Sequence, residues 1–421
     1  MPLLPIKYGR GTIELEYDPE RFEVLGREHS SQTLSDADIG DRLDRPIDSQ
    51  PLEHIVEAGQ TVLIVVPDAT RRTGSGQIVN LLVRRLIANG TSPHEISIIF
   101  ATGIHRRVTD AEKAEILTPF ILQRIKTLDH DARDLARLVK VGETSAGIPV
   151  ELNRAVLEHD HVVIVGGVTF HYFAGFTGGR KLICPGLGSA RTISATHKLA
   201  FDCETKSRRG GVDTGLLVGN AVNEAFVECV RLAPPTFAIT SITNDDGSIA
   251  DLYCGDWQTS HRAACEALAK GHTIDIDEKR DHVIASCGGF PYDINAIQAH
   301  KALDAASRAC SDGGTIILFA ECKDGLGRDD FLDWFSAADR DELAERLCER
   351  YRVNGQTAWN LLRIAETYDV RIVTSLDDLT TSKMRLHKTN VESVRDVLQN
   401  KNARGYILPQ GAKFHIRERS T

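Results

Sequence analysis

Thr61-Val-Leu-Ile-Val-Val-Pro-Asp68, followed by Gly76-Gln-Ile-Val-Asn-Leu-Leu-Val-Arg-Arg-Leu-Ile-Ala-Asn89, decides the fold class. An unbroken apolar run of β-branched type reads as a strand buried on both faces. The second stretch spaces its apolar residues as one face of a helix and stops at Gly90. Residues 96–100 (Ile-Ser-Ile-Ile-Phe) form the next strand, running into Ala101-Thr-Gly103, and His161-Val-Val-Ile-Val165 forms another, ending at Gly166-Gly167. Strand, loop, helix, strand at this spacing predicts βαβ units, hence an α/β fold with mostly parallel sheets. The chain turns polar and charged over residues 272–281, which places a boundary between domains 1–275 and 276–421. A second α/β set follows: strand 282–286, helix 293–309, strand 314–320, helical stretches over 329–368, strand 370–374, helix 391–400 and strand 405–408.

The 421 residues suffice for two or three domains at roughly 100–200 residues each. With 50 Lys+Arg against 59 Asp+Glu the net charge is −9, and the basic pairs are short and scattered, which argues against nucleic acid and for small anionic ligands. Apolar runs fall far short of the roughly 18 residues that a membrane span needs. The amino-terminal Met-Pro-Leu-Leu-Pro-Ile-Lys is too poor in apolar residues for a signal peptide. Nine scattered cysteines without a Cys-x-x-Cys pair predict reduced thiols and no structural zinc. The expectation is a soluble cytoplasmic protein.

In open parallel sheets ligands bind beyond the carboxyl ends of the strands, so the loops there carry the functional weight. Asp68-Ala-Thr-Arg-Arg72 sets a carboxylate, a hydroxyl and a guanidinium directly after a buried strand; standing alone it reads equally as a capping loop. Ala101-Thr-Gly-Ile-His-Arg106 presents His105 at the same edge. The third loop holds Gly166, Gly167, Gly175, Gly178, Gly179 and Gly186 around His171, Lys181 and several aromatics. Glycine lets a backbone approach a ligand and leaves amides for phosphate. Gly178-Gly-Arg-Lys181 is no Walker loop, having the wrong spacing and no hydroxyl after the lysine. Gly188 then opens a helix through Leu199 that bears His197. In the second domain, Gly288-Gly-Phe-Pro leads into a helix on which Gln298 and Lys301 share a face, a pairing suited to a carboxylate.

Together these segments resemble the nickel-pincer lactate racemase family. The resemblance runs through nearly the whole chain: Asp68-x-Thr-Arg71, Ala101-Thr-Gly-x-His105-Arg, His171-Tyr-Phe-Ala-Gly-Phe-Thr-Gly-Gly-Arg-Lys181, Thr196-His197, and Gly288-Gly-Phe-Pro through Gln298-x-x-Lys301. It implies a pyridinium nucleotide that holds nickel through a sulfur–carbon–sulfur pincer, carried covalently by Lys181, with His197 as a further nickel ligand. It implies an active site in the cleft between the domains, with Asp68, Thr70 and the amides of Gly178, Gly179 and Gly188 on the nucleotide. Arg71, Gln298 and Lys301 would hold a substrate carboxylate, and Arg180 would favour the neutral Lys181 amine during attachment.

The implied activity is racemisation or epimerisation of a 2-hydroxy acid. Its α-C–H is a poor acid beside a charged carboxylate, so hydride transfer to a planar 2-keto acid avoids a carbanion. Each enantiomer's hydroxyl then needs a base, and His105 and His171 fit as that pair. Trp359 reads either as a cover for the site or as a core residue. Ile297 stands where lactate-acting members tend to have tyrosine, which leaves room for a different 2-hydroxy acid or for C2 epimerisation of a sugar acid. The competing readings are a metal-dependent hydrolase using the same histidines and a nucleotide- or anion-binding α/β protein without catalysis.

Overall fold

A computed structural model describes residues 1–26 and 32–419. It is α/β, and the chain divides into two compact units, neither of them one continuous stretch. One comprises His29–Ala200 and Gly211–Lys270; the other comprises Met1–Glu28, Phe201–Gly210 and Gly271–Thr421.

The first unit is built on a six-stranded sheet ordered Ile249–Gly255, Phe237–Thr243, His161–Gly167, Val62–Pro67, Ile96–Ala101 and Lys126–Asp129. All neighbours are parallel except the Phe237–Thr243 and Ile249–Gly255 pair. Every residue of Val62–Pro67 is buried. Alternation along that strand sends Val62, Ile64 and Val66 into one apolar cluster and Leu63 and Val65 into another. Helix Ser75–Ala88 covers the first cluster with Ile78, Val79, Leu82, Val83 and Leu86, the spacing anticipated for residues 76–89. Helix Ala221–Arg231 packs Val222, Phe226, Cys229 and Val230 into the second. Because the strands at 62–67, 96–101 and 161–167 are mutually parallel, the loops after them emerge at one edge.

The second unit has a six-stranded, all-parallel sheet ordered His387–Lys388, Asp369–Val373, Cys310–Phe319, Arg280–Ser286, Gly405–Leu408 and Phe22–Val24. Helices Ala296–Ser307 and Val353–Thr367 supply Ala299, Ala302, Leu303, Trp359 and Leu362 to its main core. Two segments far away in sequence belong to this unit. The amino-terminal strand Phe22–Val24 lies alongside Gly405–Leu408, and a small hairpin, Phe201–Asp202 with Ser207–Arg208, packs Phe201 against Trp359 at 5.0 Å. A single cut after residue 275 therefore does not separate the units: parallel pairing between distant segments leaves no local mark in the sequence.

The expectation of nine reduced thiols is corrected. Cys203, in the hairpin, is disulfide-bonded to Cys348, with Cα atoms 5.8 Å apart, while the other seven cysteines are free and buried. A separation of 145 residues hid the pair from a spacing argument. Among the described residues no helix is long and apolar enough to cross a membrane.

Candidate active site

Strand Val62–Pro67 ends directly on Asp68, which is 7% exposed. Its Oδ1 accepts from Thr70 N–H (3.0 Å) and the Thr70 hydroxyl (2.6 Å), closing a tight turn, and its Oδ2 lies 2.7 Å from His105 Nδ1. Burial pushes the carboxyl up, but the His105 charge and hydrogen bonds from His105 and Thr70, with help from Arg71, hold it down to about 2. An ionised Asp68 fixes the Nδ1–H tautomer of His105 and leaves Nε2 with its lone pair. The His105 side chain is 49% exposed, so that lone pair can meet a ligand. Asp68 and Thr70, read as nucleotide holders, are thus at least partly engaged with each other and with His105.

The Gly-rich segment is not exposed: residues 170–180 are all buried. Phe170–His171 pairs with Gly175–Phe176, and a 3-10 turn over Gly179–Leu182 carries Lys181. Gly178 has φ +73°, and a Cβ there would sit 2.7 Å from Gly167 O; Gly179 has φ +51°, and a Cβ there would meet the His261 ring at 2.5 Å. Both glycines are required by the turn and its packing, whatever their amides bind.

Lys181 Nζ lies 5.7 Å from the Phe173 ring centre and 5.4 Å from that of Phe226. The His197 ring lies 5.3 Å from the same two rings, on helix Ala190–Lys198, which Ser189 caps. Lys181 and His197 therefore share an aromatic box, into which Phe173 also brings His171 (4.4 Å, edge-on). The His197 Nδ1–H donates to Ile193 O at 2.8 Å, leaving Nε2 as a donor atom for a metal. Burial, reinforced by the Lys181 charge, holds His197 down to about 3, so the ring is neutral as a ligand must be. His171 Nδ1 accepts from Ala174 N–H at 3.3 Å.

Arg180, expected beside the Lys181 amine, is fully buried, donates to Ala174 O at 2.9 Å and reaches His261 Nε2 at 3.3 Å. Phe226 and His261 were missed by the sequence reading, having no motif around them. Phe173 lay inside a quoted motif without an assigned role.

In the second unit Asn295 caps helix Ala296–Ser307, and Lys301 Nζ donates to Gln298 Oε1 at 2.5 Å, so the anticipated pair shares a face. Ile297 packs on the apolar core. Trp359 is 4% exposed within that core, and its Nε1 has no hydrogen-bond partner among the described residues.

Among the described residues no group of three His, Cys, Asp or Glu forms a metal cage. A metal at His197 would draw its remaining ligands from a carrier, and a carrier bound through an amine finds Lys181 in the same box. The residues fit such a group.

A carboxylate-backed histidine, and a second histidine and a lysine beside an imidazole with a donor atom left over, form a set able to move protons and to hold a carrier. The lactate racemase N-terminal domain matches residues 8–209 and the lactate racemase C-terminal domain matches residues 276–413. It is this family match that makes the chain an isomerase of hydroxy acids. The chain belongs to the lactate racemase family.

The lactate racemase of Thermoanaerobacterium thermosaccharolyticum is 27% identical over the full length of both chains. That of Lactiplantibacillus plantarum is 29% identical over 98% of this chain and 99% of its own. The structure of the T. thermosaccharolyticum apoprotein superposes with a TM-score of 0.88 at 26% identity, covering 99% of this chain and all of that one. A protein from Thermotoga maritima shares the fold, with a TM-score of 0.74 at 18% identity, covering 93% of this chain and all of that one.

Proposed function

We propose that the chain interconverts the enantiomers, or the C2 epimers, of a 2-hydroxy acid, with lactate, the substrate named for its relatives, as the first candidate. The observation that carries this is the clustering in one unit of Asp68–His105 and of His171, Lys181 and His197 around Phe173. Lys181 and His197 are the residues that would hold a nickel-pincer nucleotide, which when bound supplies a hydride acceptor. Thr70 and the amides of Gly178 and Gly179 are assigned to its nucleotide part, whereas the Gly188 N–H, expected there too, already donates to Pro185 O at 3.0 Å.

His105 takes the hydroxyl proton of one enantiomer at Nε2, with Asp68 stabilising the imidazolium that results. His171 serves the other enantiomer. Histidine as a side-chain type serves both as general base and, once protonated, as general acid, so neither direction needs a strong base. Arg71 is assigned to the substrate carboxylate, where a planar two-pronged contact orients as well as attracts. Gln298 and Lys301 are assigned to carboxylate binding as a pre-formed amide–ammonium pair.

The protein is produced in cells that make the nucleotide, weighed intact, and assayed by chiral chromatography on a panel of enantiopure 2-hydroxy acids that includes lactate and aldonates. Added mass mapped to Lys181 and conversion of at least one acid to its epimer are expected. Unmodified Lys181 in an active protein removes the cofactor reading, and added mass with no conversion of any acid removes the racemase reading.

A further inference from the structure

The edge that bears His105 and Lys181 is held from behind by a histidine that this chemistry does not use. His130 follows strand Lys126–Asp129 and is 1% exposed. Its Nδ1 lies 3.2 Å from Asn153 Nδ2, and Asn153 Oδ1 already accepts from Ala155 N–H at 3.1 Å, so the amide donates to the ring. Nε2 therefore carries the proton and donates to Gly188 O at 3.1 Å. Burial holds the imidazole down to about 4, which keeps it neutral and in this one tautomer around neutral pH.

The same residue's carbonyl accepts from the Thr102 hydroxyl at 3.1 Å. Thr102 belongs to the loop of His105, and Gly188 to the segment running from Lys181 to His197. Three more rungs tie these stretches together: Gly103 N–H to Gly186 O (2.9 Å), Asn153 N–H to Leu187 O (2.8 Å) and Ala190 N–H to Ala132 O (2.8 Å). There is no slack between them, since a Cβ on Gly186 would come within 2.8 Å of the Ala101 Cβ.

We propose that His130 is a positioning residue, which sets the separation between the loop of His105 and the segment that joins Lys181 to His197. The catalytic consequence rests on the roles proposed above for those residues; the mechanical one does not. A displacement of about 1 Å at reacting groups costs on the order of 10²-fold in rate, so a bolt between two contributing loops acts on kcat before it acts on binding.

The test uses holoenzyme carrying His130→Phe, His130→Gln, Asn153→Ala or Leu86→Ala. Leu86 is buried in the cluster on the other side of the sheet and serves as a control for destabilisation alone. Amide hydrogen exchange over residues 101–105 and 183–189 is measured beside kcat and KM. His130→Phe is expected to speed exchange there about tenfold or more and to lower kcat about 10–100-fold, with KM within about threefold.

His130→Gln, whose amide N–H can reach Gly188 O, recovers most of both. Asn153→Ala gives the Phe pattern more weakly, and decides the matter if His130→Phe does not fold. Leu86→Ala lowers thermal stability with exchange at those segments and kcat unchanged. Failure of Gln to recover either quantity, or an equal loss of kcat in Leu86→Ala, overturns the proposal. A wild type that converts no hydroxy acid removes the functional reading alone, and exchange at the two segments still decides the role of His130.

Discussion

The two units share one construction, six strands with helices packed on them, yet their sheet edges differ in chemistry. At the first edge a buried carboxylate backs His105, and an aromatic box holds Lys181 and His197 together. The second unit offers the Gln298–Lys301 pair on a helix and, further along it, a buried network in which Asp304 accepts from Arg208 at 2.9 Å and from Asn360 at 2.9 Å. The same layering thus carries a carboxylate–histidine pair and an aromatic box in one place and an amide–ammonium pair in the other. What differs is which side chains stand at the strand ends and on the helices beyond them, not the layering.

The comparison breaks most easily at its two lysines. Lys181→Ala is expected to abolish turnover together with the added mass. Lys301→Ala is expected to keep the mass and raise KM about 10–100-fold, the worth of one charge-assisted hydrogen bond, read from steady-state kinetics on the converted acid. Loss of the added mass in Lys301→Ala would mean that the division of labour is wrong.

Asp68→Asn sharpens the first edge: kcat should fall about 10–100-fold with KM within about threefold, part of the ~10²–10⁴ that a positioned base supplies. An unchanged kcat would leave Asp68 to the nucleotide alone.

The smallest expected difference concerns acid. Burial holds His130 and His261 of the first unit down to about 4 and about 3, and His300 of the second down to about 4. Unfolded histidine titrates near ~6.5, so between these values the unfolded chain binds more protons than the folded one. Stability therefore falls as pH drops below about 6.5, by up to about 1.4 kcal/mol per pH unit for each such ring. Amide exchange in strands 62–67 and 96–101 should accelerate more between pH 6 and pH 5 than in strands 280–286 and 310–319. Equal acceleration would show that the asymmetry of buried histidines has no thermodynamic weight.

Much of the fold was legible because hydrophobic periodicity is local. The strands at 62–67, 96–101 and 161–167 and the helix at 75–88 all lie within a residue or two of their expected limits. Strand Phe237–Thr243 was passed over although it is mostly buried, because Thr and Ser interrupt its apolar run. Of the site, the residue types at the strand ends were visible. Their engagements were not: nothing near Asp68 announces His105, and nothing near Lys181 announces Phe226.

The sequence by itself determined several of the central strands and helices of both units, and that histidines, a lysine and glycines crowd the ends of parallel strands. Tertiary structure alone decided that Asp68 holds His105 across 37 residues, that Phe173 and Phe226 enclose Lys181 with His197, that Cys203 joins Cys348, and that Phe22–Val24 completes a sheet with Gly405–Leu408. The physical reason is range. Backbone propensity and side-chain period act over a few residues, whereas strand order and long-range packing are settled only when the whole core closes.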